Sequence, residues 1–197
     1  MDRRQKTRVV SGIPTWWAGT LFRSLLEAKW ASFCDEMGWR WSYESIELNG
    51  YIPDFIVTLP HAPVLVEVKP EHYTSDLRTH RAKIDRTEWA DEVLIVGSSP
   101  VLMDTRCDVA PLLGLLREAD GPGFRWDNSV VHQCQACQSV SFHSEGGSWH
   151  CRACGASDGN KHVAHASASW VLDVWRRAAV RVRYEHTPNP TPPWEAA

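Results

Sequence analysis

The 197 residues, with 43% hydrophobic content, suffice for one sizeable core plus a small appendage that needs another source of stability. A formal charge of −3 gives no global reason to bind polyanions, so any nucleic-acid surface must be a local concentration of Lys and Arg. The basic start MDRRQKTRVV is not followed by an apolar stretch of signal-peptide length, and no later run approaches the roughly 20 residues needed to span a bilayer, so a cytoplasmic protein is expected.

From Thr20 to Met37, Leu21, Leu25, Ala28, Ala31 and Phe33 recur at helical spacing, and Gly38 is a stop signal. Three short aromatic and β-branched runs follow, over 39–45, 51–59 and 63–68, punctuated by Asn49-Gly50 and by Pro60-His61-Ala62-Pro63. They predict an antiparallel meander. A polar, doubly charged stretch over 75–90 with Leu77, Ile84 and Trp89 predicts a helix delivering the buried strand Val93-Leu94-Ile95-Val96-Gly97. Ala110 to Ala119 reads as a short helix, and Gly121-Pro122-Gly123 as a break. The expected division is residues 1–123 as the main α/β domain, 124–165 as a cysteine module, 166–186 as a C-terminal helix and 187–197 as a disordered Pro-rich tail, with 124–131 able to pack as a strand between modules.

The chemistry concentrates in two places, and the first is Pro53-Asp54 with Glu67-Val68-Lys69. On neighbouring antiparallel strands, alternation puts Glu67 and Lys69 on one face, turns Val64, Val66 and Val68 to the other, and sets Asp54 opposite Glu67. Two carboxylates so close repel or shift their pKa values unless a cation reconciles them. Mg²⁺ or Mn²⁺ suits such hard oxygen ligands, lowers the pKa of a bound water and stabilises charge developing on phosphorus, and Lys69 is placed to orient that water or neutralise the transition state.

These residues, with Phe22-Arg23-Ser24-Leu25-Leu26-Glu27-Ala28 upstream, resemble the PD-(D/E)xK, or restriction-endonuclease-like, nucleases over roughly residues 15–100. The resemblance implies a mixed central sheet flanked by helices and a Mg²⁺-dependent deoxyribonuclease of a phage, mobile-element or bacterial DNA-processing system. It implies Asp54 and Glu67 as principal metal ligands, Glu27 as a direct or water-mediated support, and a further basic residue, Arg81 or Lys83, on the following helix. The competing reading is a solvated edge strand carrying Glu67 and Lys69, a surface Glu27, and a salt-bridged helix face in which Arg78, Arg81, Lys83 and Arg86 alternate with Asp76, Asp85 and Glu88. Two other functions stay open: a nuclease subunit active only within a larger transposition or defence complex, and a non-catalytic nucleic-acid-binding adaptor. Paired cuts would favour a homodimer.

The second place is Cys134-x₂-Cys137 and Cys151-x₂-Cys154, with Gly155 as a permissive turn. This is the pattern of a structural Cys₄ Zn²⁺ ribbon, saturated without His132, His143, His150 or His162 and dependent on zinc to fold. Cys34 and Cys107 stand alone in apolar stretches, so no disulfide framework is expected. Along the last helix, Trp170, Val171, Val174 and Trp175 are candidates to dock on the core, leaving Arg176, Arg177, Arg181 and Arg183 outward. Arg23, Arg81, Lys83, Arg176 and Arg177 are the candidate DNA contacts. Eleven tryptophans invite base stacking, although Trp30, Trp89, Trp170 and Trp175 fall in helical patterns where core packing is the usual role.

Overall fold

A computed structural model describes residues 12–60, 62–87, 89–104, 109–120, 122–157, 159 and 162–184. The basic N-terminus, Glu88, Cys107, Gly121 and the Pro-rich tail lie outside the described residues.

The chain begins with a hairpin, β1 (Thr15–Trp17) against β2 (Thr20–Phe22), turned by Ala18 and Gly19 at positive φ. Helix α1 (Leu25–Glu36) therefore starts five residues later than the apolar spacing suggests. The start signal is local: Ser24 is extended and accepts from the Glu27 N–H at 3.2 Å, satisfying one of the helix's free donors. Gly38, at φ +72, ends the helix as expected.

Next come β3 (Arg40–Tyr43), β4 (Phe55–Thr58) and β5 (Pro63–Val68), the expected antiparallel meander. Asn49 and Gly50, both at positive φ, make a tight turn closed by reciprocal bonds between Leu48 and Tyr51. That turn lies inside the β3–β4 connection, so β4 begins at Phe55 rather than Tyr51.

The predicted helix over 75–90 is broken into α2 (Thr74–Leu77), a 3₁₀ turn over Arg78–His80 and α3 (Arg81–Asp85), and Trp89 falls outside any helix. Leu77 and Ile84 are its buried side chains, so the segment is held at two points and lacks a stripe that would keep it one continuous helix.

Strand β6 (Val93–Asp104) runs parallel to β5, and β7 (Val109–Asp120) returns antiparallel to it. The helix expected over Ala110 to Ala119 is thus a strand. Its leucines are buried on both sheet faces, Leu113 and Leu116 in one core and Leu115 in the other, and that two-sided burial outweighs their helical preference. Gly114 permits the close pairing, since a Cβ there would lie 1.9 Å from the Ile95 carbonyl oxygen.

β8 (Gly123–Cys134) forms a hairpin with β7, and the boundary expected near residue 123 falls in its turn. β8 then carries β9 (Val140–Ser144) and β10 (Val163–His165), so the cysteine-bearing segment is mounted on the same sheet, ordered β10-β8-β7-β6-β5-β4-β3 with β9 beside β8. Helix α4 (Ala168–Tyr184) closes the described chain.

The architecture is α/β, a large mixed sheet with few helices. One face packs Val64, Val66, Leu94, Val96, Leu113 and Leu116 under α1 and α4; the other packs Leu65, Val93, Ile95 and Leu115 under Leu77 and Ile84. Val171, Val174, Ala178 and Val182 are the buried stripe of α4, and Trp175 stacks on Trp30 of α1 at 4.7 Å, while Trp170 stays 36% exposed. Among the described residues no helix is long and apolar enough to cross a membrane.

Gly114→Ala is expected to destabilise the protein by about 1–3 kcal/mol, because its methyl group meets backbone rather than a movable side chain. Chemical denaturation of the two proteins measures the difference; equal midpoints would show that the β6–β7 pairing is looser than described.

Candidate functional site: a carboxylate cluster and a cysteine cluster

Register builds the first cluster. Phe55 faces Val66 across β4 and β5, and continuing that pairing one residue sets Asp54 opposite Glu67. By alternation Asp54 shares a face with Ile56, and Glu67 with Leu65, on the side that carries Tyr51, α2 and α3. Both carboxylates are 4% exposed, and Glu27, from the first turn of α1, is 9% exposed.

Every carboxylate oxygen in the trio has a fixed partner. Asp54 Oδ2 accepts from the Val68 N–H at 2.7 Å, and its Oδ1 takes the Arg23 guanidinium at 2.7 Å. Glu67 Oε2 accepts from the Tyr51 hydroxyl at 2.5 Å, while Oε1 is paired with the Lys69 ammonium. Glu27 accepts from Tyr43 at 2.6 Å and from the Ser24 hydroxyl at 2.8 Å. Arg23 also reaches Glu44 at 2.6 Å.

Burial, reinforced by the Glu67 charge and opposed by the Val68 N–H and Lys69, pushes the Asp54 carboxyl up to about 7. Burial and the neighbouring Glu67 raise Tyr51 in the same way, and burial with Glu27 raises Tyr43, so both phenols remain hydrogen-bond donors. Three buried carboxylates (Glu27, Asp54, Glu67) and the part-exposed Glu44 thus face two cations (Arg23, Lys69), which leaves an excess of hard-oxygen groups. That donor chemistry suits a divalent cation. The trio is nonetheless looser than a preformed cage: among the described residues, the only set of three or more metal-ligating side chains with all donor atoms within 4.8 Å is the cysteine cluster.

The basic candidates separate. Arg23 lies at the carboxylates. Lys83, on α3, sits 4.6 Å over the Tyr51 ring and so approaches Glu67 through that phenol. Arg81 instead donates to the Arg78 carbonyl. Arg176 pairs with Asp173, and Arg177 and Arg181 with Glu36, at the far end of α1, about 14 Å along the helix from Glu27. Among the described residues the ladder of ion pairs that the competing reading of the 75–90 segment would require is absent, and Asp85 faces Arg117 of β7 at 3.7 Å. Tyr43 and Tyr51 were not singled out from the sequence. The available signal was the Asn49-Gly50 turn, which returns Tyr51 toward the sheet just ahead of Asp54.

The second cluster has two matching knuckles. The Gln138 N–H donates to the Cys134 carbonyl at 2.8 Å and Gly155 N–H to Cys151 at 2.9 Å, and both turn residues have positive φ. Only Gly155 advertises that conformation; Gln138 adopts it against its side chain. All four sulfurs lie within 4.8 Å of one another, with Cys134–Cys154 at 3.7 Å and Cys137–Cys151 at 3.5 Å. Tetrahedral zinc with bonds of about 2.3 Å requires sulfurs roughly 3.8 Å apart, so the thiols fit a structural zinc ion. Burial works against the Cys151 thiolate, but hydrogen bonds from Ser139 and the Ala153 and Cys154 N–H groups bring it down to about 6.

His132 and His143 are packing groups in this arrangement, whereas His150 and His162 are exposed. His132 stacks on Trp149 at 4.0 Å, and burial pushes His132 and His143 down to about 3, which keeps them neutral. Arg152, between the last two cysteines, donates to both Glu92 oxygens at 2.8 and 2.9 Å. The Glu92 carbonyl in turn accepts from Leu65 N–H, which ties the second knuckle to β5.

No protein-family model, curated protein or solved structure matches this chain.

Two outcomes follow. Because the Asp54 carboxyl is raised in the folded protein, its penalty is absent below about pH 4, develops as pH rises and is complete above about 7. Asp54→Asn should therefore raise Tm in EDTA near pH 8 and leave it nearly unchanged near pH 4, as thermal denaturation at both values will report. For the second cluster, metal analysis should find one zinc per chain, lost in Cys134→Ser; full zinc content in that variant would place the ion elsewhere.

Proposed function

We propose that the chain is a divalent-cation-dependent nuclease of the PD-(D/E)xK type that hydrolyses DNA phosphodiesters, with a structural zinc ribbon built on the same sheet. The observation that carries this reading is the pairing of Asp54 with Glu67 on one face of β4 and β5, beside Lys69, in surroundings that hold a carboxyl near 7. The helix, the three-strand meander, the broken helical segment and the parallel β6 follow in the order that the resemblance implies.

A Mg²⁺ or Mn²⁺ ion held by Asp54 and Glu67, with Glu27 in support, would neutralise charge on a scissile phosphate and acidify water. The chain's own groups do the rest. Tyr51 and the Val68 N–H fix the orientation of Glu67 and Asp54 before substrate arrives. Lys69, 22% exposed, presents its ammonium to the phosphoryl oxygens from beside Glu67. Arg23, 59% exposed, is the group best placed to exchange its partner Asp54 for a substrate phosphate. Tyr43 and Ser24 hold Glu27 at the rim.

One observation favours the adaptor reading: Arg23 and Lys69 already pair with the two principal carboxylates, as they would in a site that only binds. The measurement that separates the two is cleavage of linear, circular and branched DNA in Mg²⁺ or Mn²⁺. Wild-type protein should cut and EDTA should abolish the reaction. Asp54→Ala and Lys69→Ala should stay folded and bind DNA in Ca²⁺ but cleave at least about 10²-fold more slowly. Cleavage that persists in excess EDTA, or normal cutting by Lys69→Ala, would sink the assignment.

A further inference from the structure

The abundance of tryptophan has a partial structural explanation. Trp17, Trp30, Trp39 and Trp41 commit the indole N–H to Asp35, Gly97 or Val140 and pack within or against the main core. Trp89 and Trp126 pack instead at the edge of the second core, Trp126 donating its N–H to Asp85 and Trp89 leaving its own unmet. With Phe124 they wall a pocket of about 470 Å³, with Arg117 at its floor and Asp85 and Ala90 at its mouth.

The β7–β8 register assembles it. Arg117 lies opposite Trp126 and Ala119 opposite Phe124, so Phe124 and Trp126 rise from the same side of β8. The Arg117 guanidinium is 2% exposed and sits 4.2 Å from the Phe124 ring, which is itself 47% exposed. Its Nη2 donates to the Trp89 carbonyl at 2.5 Å and the Asp91 carbonyl at 3.1 Å, fixing the floor. Two donors remain buried without an acceptor: Arg117 Nε and Trp89 Nε1. Both belong to residues that line the pocket, and each is sealed from solvent, so a ligand's acceptors reach them only when the lining rings shift. At the mouth the Asp85 carboxylate, 49% exposed, lies 3.7 Å from the Arg117 guanidinium, takes the Trp126 N–H at 3.2 Å and presents an acceptor to the pocket. Flat aromatic walls and a carboxylate at the mouth match a planar heterocycle with a donor edge, as a nucleobase has, and the sealed donors beneath the rings are partners for its acceptors once the rings part.

The location supplies the source of that base. Glu67 pairs with Ile95, Ile95 with Leu115, and Arg117 is two residues further on the same face, which puts the pocket about 12 Å from the carboxylates. Helix α3 connects the two, with Lys83 over Tyr51 at one end and Asp85 at the pocket at the other. We propose that this pocket receives one unstacked base of the strand cut at the carboxylates, a few nucleotides from the scissile bond. The identity of the strand rests on the nuclease reading; base binding itself requires no metal.

The test uses full-length protein in EDTA and a set of short single-stranded DNAs with 2-aminopurine at successive positions, whose fluorescence falls when the base stacks on indole. Quenching confined to one position and lost in Trp126→Ala, with strand binding kept in Trp126→Phe, is the expected result. Trp126→Ala and the exposed-site variant Phe124→Ala should weaken strand binding at least about fivefold. Uniform quenching along the strand, or wild-type binding by both alanine variants, overturns the proposal even if cleavage is normal. Free nucleoside monophosphates competing as well as the strand would also overturn it, assigning the pocket to a small nucleotide. Position-specific quenching in a protein that never cleaves DNA would support the pocket while removing the nuclease reading.

Discussion

The Val68 N–H donates to the Asp54 carboxylate across the mouth of β4 and β5, at the point where β4 has only just begun. That bond holds the end of the long β3–β4 connection onto the strand that carries Glu67 and Lys69. Without it the Asp54 carboxylate would be held by the Arg23 contact, and its backbone by the Glu44 N–H at 3.0 Å and the start of the β4–β5 ladder. The bond favours the charged form of Asp54, while burial and Glu67 oppose it more strongly, so the protein stores electrostatic tension in the arrangement. Arg23, paired with Asp54, and Lys69, paired with Glu67, relieve it in part.

The two faces of the sheet divide the labour. One face is filled by α1 and α4, whose contact is fastened by the Trp30–Trp175 stack and by Glu36 with Arg177 and Arg181. The other is covered by Leu77 and Ile84 from short helical pieces and by Tyr51 with Ile46, Leu48 and Trp89 from connecting segments, which leaves room beside them for buried polar groups. Both the carboxylates and the aromatic pocket open on this thinly covered face. The cysteine cluster sits at the far end of β8, and the Arg152–Glu92 pair braces it against the start of β6. Loss of zinc is therefore expected to be felt in the sheet, not only in the ribbon.

Much of this was legible locally. The knuckles, the Gly38 stop and the Asn49-Gly50 turn are set by neighbours within a few residues, and the alternation of Val64, Val66 and Val68 with Leu65 and Glu67 identifies two faces before any partner is known. The charged and thiol residues that later form clusters were nameable because their spacing is chemical rather than topological. Ser24 and Glu27 even carried a helix-start signal that the broader apolar spacing obscured.

What the tertiary structure alone decided has a common physical cause, burial on two sides by chain far away in sequence. Ala110 to Ala119 is rich in helix-forming Ala, Leu, Arg and Glu around Pro111 and Gly114, yet it is a central strand because β6, β8 and both cores claim its backbone and its leucines. Arg177 looked like an outward cation until Glu36 was found across the helix pair, and Arg117, unremarked in the sequence, became the floor of a pocket because β8 set Trp126 opposite it. Spacing along the chain can nominate the groups that do chemistry, but their charge balance, burial and partners depend on distances that only the folded sheet creates.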